Sequence, residues 1–183
     1  MKKESSTPKF MMISDMHLTV GEAGKEAGLI PTGTWKLRAV KIQEKKYTYE
    51  NDEGDDVESS VVILTEEPIE PTKSVSQEEV NAIDPTTGQA PYAGRRLWTR
   101  FDRQYPGALR QLGQAMGAYG FGSEDDLQAI IKGNTVRGKT CYGEVYTNTF
   151  DRRDGSTTSE SRVKQRTSLD AVRKAQAQAE QDL

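Results

Sequence analysis

Apolar and polar residues alternate along "TGTWKLRAVKIQEKKYTY", residues 32–49, the period of two that sends successive side chains to opposite faces of a β-strand. Trp35, Leu37 and Ala39 fall on one face, with Lys36 and Arg38 on the other; at Val40 and Ile42 the apolar phase reverses. A flip of this kind inside one long strand predicts a bulge, or a bend that lets the strand serve two halves of a barrel. "ENDEGDD" reads as a turn and "SSVVILTEE" as a short, β-branched returning strand, so the two runs predict a hairpin.

Residues 66–94 break the alternation with Pro68, Pro71, Pro85 and Pro91. Within them Ser76 followed three residues later by Glu79 is a capping-box pattern, which predicts one short helix. The segment has too few apolar residues for a core of its own and reads as an acidic insertion. In "RRLWTRFDR" Leu97, Thr99 and Phe101 share one side of a strand, and Arg96, Trp98, Arg100 and Asp102 the other. Leu109, Leu112, Met116 and Tyr119 then recur at three- and four-residue steps, a helical spacing despite the intervening glycines. "SEDDLQAIIKG" predicts a second helix with Ser123 as its cap and Gly133 as its stop. Strand character returns over 134–150, a loop surrounds Asp154-Gly155, and "SRVKQR", 161–166, alternates again. The remaining residues form an Ala/Gln-rich helix with a thin stripe of Leu169, Val172 and Ala179, frayed or docked on a partner.

The order strand–strand–strand–helix–strand–strand predicts a mainly β protein: a five-stranded OB-fold-like barrel with helices between strands three and four, plus a C-terminal helix. Ligands of that barrel lie across strands two and three and the flanking loops. The expected divisions are an N-terminal arm over 1–30, an OB-fold-like domain over 31–167 carrying the insertion 66–94, and a C-terminal helix or tail over 168–183.

Charge changes this picture most. The 183-residue chain has a net charge of −3, yet residues 50–84 hold twelve acids against Lys73 alone, a net −11 that leaves +8 elsewhere. An acidic total therefore does not argue against a polyanionic partner. "YAGRRLWTRFDRQYPGALRQL", 92–112, concentrates five arginines and four aromatics. Rings that stack on bases and cations that track phosphates are what sequence-independent binding of single strands needs.

Composition narrows the rest. With 34% hydrophobic and 29% charged residues, long exposed segments around a compact core are expected. No run approaches the ~20 apolar residues that cross a bilayer, so no membrane partner is expected. The first apolar run is interrupted by Ser14, Asp15 and His17, which argues against a secretory leader and for a cytoplasmic protein. One cysteine, Cys141, and one histidine, His17, offer neither an internal disulfide nor a metal site at ligand spacing. Asp15 and His17 imitate the opening of a metallophosphoesterase motif, but the further histidines of that chemistry are missing. Cys141 has no histidine near it in sequence, and "GEAGKEAG" lacks phosphate-loop spacing. The expectation is a non-enzyme without a cofactor.

"GLIPTGTWKLRAVKIQ", "YAGRRLWTRFD", "ALRQLGQAMGAYG", "DDLQAIIKGNTVRGKTCYGEVY" and "SRVKQ" together resemble a phage-encoded family of small single-stranded DNA-binding proteins, over about residues 29–166. That resemblance implies a barrel fold, single-stranded DNA as ligand, a place in phage replication or recombination inside the host cytoplasm, and replication or recombination proteins as further partners. A homo-oligomer is compatible with it.

The residues expected to bind nucleic acid are Lys36 and Arg38 on the first strand, Lys45 and Tyr47 near the hairpin tip, and Arg96, Trp98 and Arg100 on the third strand. Arg137, Lys139 and Tyr142 are assigned to the fourth strand, Arg152 and Arg153 to the loop after it, and Arg162 and Lys164 to the fifth. The barrel would gather them into one groove, with the acidic cluster lying apart. Bland readings stand beside these. A one-residue slip would bury Trp98 and expose Leu97; Tyr142, like Tyr146, fits the core or rim as well as a stacking role; Lys45 and Lys46 fit a solvated strand end. The acids of 50–84 are solvated, or compete with DNA for the cations. From a different class, the chain would be a protein-interaction adaptor or inhibitor that uses its acidic segment and C-terminal helix.

Overall fold

A computed structural model describes residues 29–83, 88, 90, 92–152 and 154–181 of the chain. Five antiparallel strands form one open sheet: β1 (Gly33–Glu50), β2 (Asp56–Pro71), β3 (Leu97–Asp102), β4 (Thr140–Asp151) and β5 (Thr157–Thr167), in the spatial order β3-β2-β1-β4-β5. Helices α1 (Gln77–Asn81), α2 (Ala108–Ala118), α3 (Leu127–Gly133) and α4 (Leu169–Gln181) are interspersed. The expected mainly β class, the strand count and the helices between β3 and β4 match. A closed barrel does not: no hydrogen-bonded ladder joins the edge strands β3 and β5.

The phase flip in β1 is a bulge. Ala39 pairs with Glu66 and Lys41 with Thr65, leaving Val40 unmatched, so Trp35, Leu37, Ala39 and Ile42 all point inward and are buried. The β1–β4 ladder ends at Arg38↔Thr140, and the turn 134–139 takes over the abandoned backbone groups. Ala39 N–H donates to the Lys139 carbonyl at 2.9 Å and Gly138 N–H to that of Ala39 at 2.8 Å. Ile42 N–H donates to Asn134 Oδ1 at 2.8 Å. Asn134 sits in the left-handed region, φ 49°, as the C-cap of α3, a conformation this short polar side chain tolerates.

The inner face of the sheet packs against α2 and α3, with Leu64, Leu97, Phe101, Leu112, Met116, Ile130 and Val145 in one buried cluster. Gly143 lies between Leu37 and Val163, and a Cβ there would meet Leu37 Cδ1 at 2.4 Å; the close approach of β1 and β4 requires a glycine at that point.

Several boundaries differ from expectation. β2 runs through Pro68 to Pro71, although prolines argue against a strand. Its ladder with β3 ends at Glu66↔Leu97, so residues 67–71 form an open edge, where a missing N–H leaves no bond unmade. The insertion thus begins after residue 71, and its Val75 and Val80 join the core. The expected short helix α1 is present, N-capped by Ser76, whose Oγ accepts from Glu79 N–H. In α2 Leu109 is exposed while Leu112 and Met116 are buried. α3 is capped by Asp126, which accepts from Gln128 N–H at 2.9 Å, and not by Ser123. Its stop is Asn134 at the C-cap; Gly133 is still helical. β4 begins at Thr140, so Arg137 and Lys139 belong to the preceding turn and not to a strand. Most of the arm 1–30, with Asp15 and His17, lies outside the described residues, as does Arg153.

Candidate nucleic-acid interface

Alternation and register together decide which side chains share the face turned away from the core. Leu97 is fully buried and Trp98 is 61% exposed, so the third strand has the register that turns its indole outward. On that face Trp98 pairs with Thr65, and Arg100 with Ile63. Thr65 and Ile63 in turn pair with Lys41 and Gln43 of β1. Lys36 pairs with Tyr142, and Tyr146 with Arg162. Tyr142 and Tyr146 are half-buried on this outer face and do not belong to the core cluster. Lys36, Arg38, Lys45, Tyr47, Trp98, Arg100, Tyr142 and Arg162 therefore lie on one continuous surface.

The acids do not lie apart from it. Glu67 sits between Arg38 and Arg96 and bonds to both guanidinium groups. Glu70 approaches Lys36 at 3.5 Å, Glu144 approaches Lys164 at 3.8 Å, and Glu160 pairs with Arg162. Strand alternation places Glu67 on the same face as the cations it was expected to avoid. Among the described residues Arg100, Lys41, Lys45 and Lys46 make no ion pair. Trp98 with Arg100 is thus a place where an exposed ring adjoins a cation without an ion pair.

Other expected contacts are diverted. Tyr47 donates its hydroxyl to Asp102, and that bond raises its pKa by stabilising the protonated form. Lys139 Nζ lies 4.8 Å from the centre of the Phe121 ring, a cation–π contact at the turn before β4. Arg137 is exposed on the same turn. Neither lines a cleft with Trp98. Arg152 donates to Thr158 Oγ1 at 3.3 Å across the β4–β5 hairpin.

Two clefts open where β3 faces β5. One, of about 300 Å³, is bounded by Trp98, Arg96 and Arg95 on one side and by Ser159, Glu160 and Ser161 on the other, over Leu29 and Ile30. Ile30 N–H donates to Ser161 Oγ at 2.8 Å, which ties the chain before β1 to β5. The other, of about 700 Å³, lies between Phe101, α2 and Val163–Arg166.

Beneath the second cleft is a buried polar group that the sequence did not reveal. Arg166 grips the fully buried Glu66 with two bonds, 2.7 and 2.5 Å, and donates to Thr99 Oγ1 at 2.6 Å. Tyr119 donates to Glu66 Oε1 at 2.6 Å. Burial opposes the charge on Arg166, but the Glu66 carboxylate outweighs it and holds the guanidinium protonated. Burial, reinforced by the Glu66 charge, pushes the Tyr119 hydroxyl well above its usual range. Burial likewise pushes the Cys141 thiol up to about 12, offset in part by its bond with Tyr119. These residues connect β2, β3, β4, β5 and the end of α2, and among the described residues no buried side-chain nitrogen or oxygen lacks a hydrogen-bond partner. The only sequence signal was Glu66 at an inward position of a strand; inside a run of acids it read as solvated.

No protein-family model matches the chain, and no curated protein matches it. Among the described residues no helix is long and apolar enough to cross a membrane, and no three His, Cys, Asp or Glu converge on a metal-sized site.

Proposed function

We propose that this protein binds single-stranded DNA, without catalysis, during phage replication or recombination, through an OB-like groove that uses ring stacking and phosphate neutralisation. The observation that carries this reading is Trp98: a large apolar ring, 61% exposed, on β3 with Arg100 sharing its face and Arg96 placed just before the strand, which begins at Leu97. A stacked base would cover an indole presented in this way and remove its apolar face from water. The OB-like reading draws support from the strand order, the helices between β3 and β4, and the approach of the two edge strands through the Arg166–Thr99 bond.

A labelled oligothymidine titrated at several salt concentrations tests the proposal. Log affinity should fall linearly with log salt, with a slope of about −0.7 per phosphate contacted. Trp98→Ala should weaken binding about 5- to 150-fold, as expected for one stacked base at ~1–3 kcal/mol, and Arg100→Ala should flatten the salt slope, both without loss of the folded signal. Unchanged affinity in both variants removes the site. The adaptor reading has one observation in its favour, since α4 exposes most of its residues, with Leu169 and Val172 partly covered. It predicts no oligonucleotide binding at any salt concentration.

A further inference from the structure

The third strand was expected to pass its ligand toward β2, but the outer face offers a second direction. The small cleft joins Trp98 and Arg96 of the β3 side directly to Ser159–Ser161 of β5. From there the β4–β5 register continues the surface: Glu160 pairs with Asn148, Arg162 with Tyr146, and Thr158 with Phe150. Directly opposed residues stand about 4.5–5.5 Å apart, so each step is one contact. Tyr142, Tyr146 and Phe150 recur every fourth residue on β4 and so share the outer face. Phe150, 39% exposed, ends this row beside Arg152. At a strand rise of about 3.3 Å per residue, successive rings stand roughly 13 Å apart.

Resting on the single-stranded DNA reading, we propose that the bound strand crosses the gap between β3 and β5, running from Trp98 across the β5 backbone at Ser159–Ser161, where Glu160 is the outward side chain and both serines turn to the opposite face, onto Tyr146 and Phe150 of β4. Arg96 and Arg162 flank the crossing, and Arg152 lies at its far end. Glu160 lies in this path and holds Arg162, so a phosphate reaching Arg162 must displace a carboxylate. The crossing therefore contains an internal competitor for the DNA backbone.

Oligothymidines spanning the range of about 4–16 nucleotides that one such fold covers test the path. Phe150→Ala should leave the shortest bound oligomer unaffected and weaken the longest about fivefold, the lower end for one stacked base. Trp98→Ala should weaken both. Glu160→Gln should tighten the long oligomer about two- to fivefold by releasing Arg162. If Trp98→Ala weakens binding while Phe150→Ala and Glu160→Gln change nothing at any length, the path is wrong and the DNA-binding reading stands. If the unmodified protein binds no oligomer, both fall.

Discussion

Glu66 and Glu67 are neighbours in the chain and opposites in the molecule. Each carboxylate meets arginine: Glu66 is gripped by Arg166 inside the sheet, and Glu67 by Arg38 and Arg96 outside it. Glu66 is fully buried, and the Arg166 side chain is only 7% exposed. Arg38 and Arg96 keep access to water on their outer sides. The pleat alone produces this contrast, because successive β residues face opposite ways. Inside, the pair has lost its hydration, and its stability depends on every donor being filled. Outside, Glu67 is largely covered by its two partners, but Arg38 and Arg96 remain 50% and 36% exposed, so water and salt reach the arginines and leave them available for exchange with another anion.

The largest expected effect follows from breaking the inner pair on one side only. Glu66→Ala strands a buried guanidinium and should cost about 3–5 kcal/mol in chemical denaturation. Replacing both partners and the hydroxyl that bonds Glu66, as Glu66→Leu with Arg166→Met and Tyr119→Phe, should recover much of that loss, since apolar groups of similar size avoid the desolvation penalty and leave no Tyr119 donor orphaned. A combined variant as unstable as the single one would show that the pair supplies more than charge compensation. It would then be a pin for the gap between β3 and β5, acting through the Thr99 bond.

Cys141 sharpens the same comparison from within the core. Its thiol is pushed up to about 12 from a usual value near 9. The folded state thus favours the protonated form, so the stability contribution is intact below about pH 9 and declines as pH rises toward 12. At pH 10, one unit above the unfolded value, the decline from this group is about 1 kcal/mol. At neutral pH the reactive thiolate is absent and the sulfur is buried, so alkylation should proceed only through opening of the fold. Glu66→Ala should accelerate it about tenfold for each ~1.4 kcal/mol of stability lost. Rapid alkylation of the unmodified protein would mean that this interior is open to solvent.

Much of this architecture was legible in the chain because it depends on apolar phase. The reversal at Val40 announced the bulge, and the alternation of Leu97, Trp98 and Thr99 set the correct face for the indole. What supports the bulge was not legible: Asn134 lies ninety-two positions from Ile42, and nothing local to either residue signals that bond. The prolines of β2 misled for a related reason, since whether a strand is an edge is decided by where its neighbour ends. The acids misled because a run of carboxylates reads as uniformly solvated, while a pleated strand divides them between two environments. Candidate cations were easy to find by residue type, but their compensation by Glu67, Glu70, Glu144 and Glu160 follows from register alone.

The smallest expected effect concerns Glu67, and it tests whether the outer cluster is a structural clamp or a reserve of charge. Glu67→Gln keeps the side chain's shape and removes its charge, leaving Arg38 and Arg96 partly exposed and hydrated. Stability should therefore change by no more than about 1 kcal/mol, in contrast to its inward neighbour. If these arginines lie along bound DNA, affinity for oligothymidine at low salt should rise, and the salt slope should steepen by about 0.7 for each phosphate newly engaged. A stability loss as large as that of Glu66→Ala would mean that the two faces do not differ as their hydration requires. Unchanged affinity with unchanged stability would place the DNA away from Arg38 and Arg96, leaving Arg100 as the cation beside Trp98.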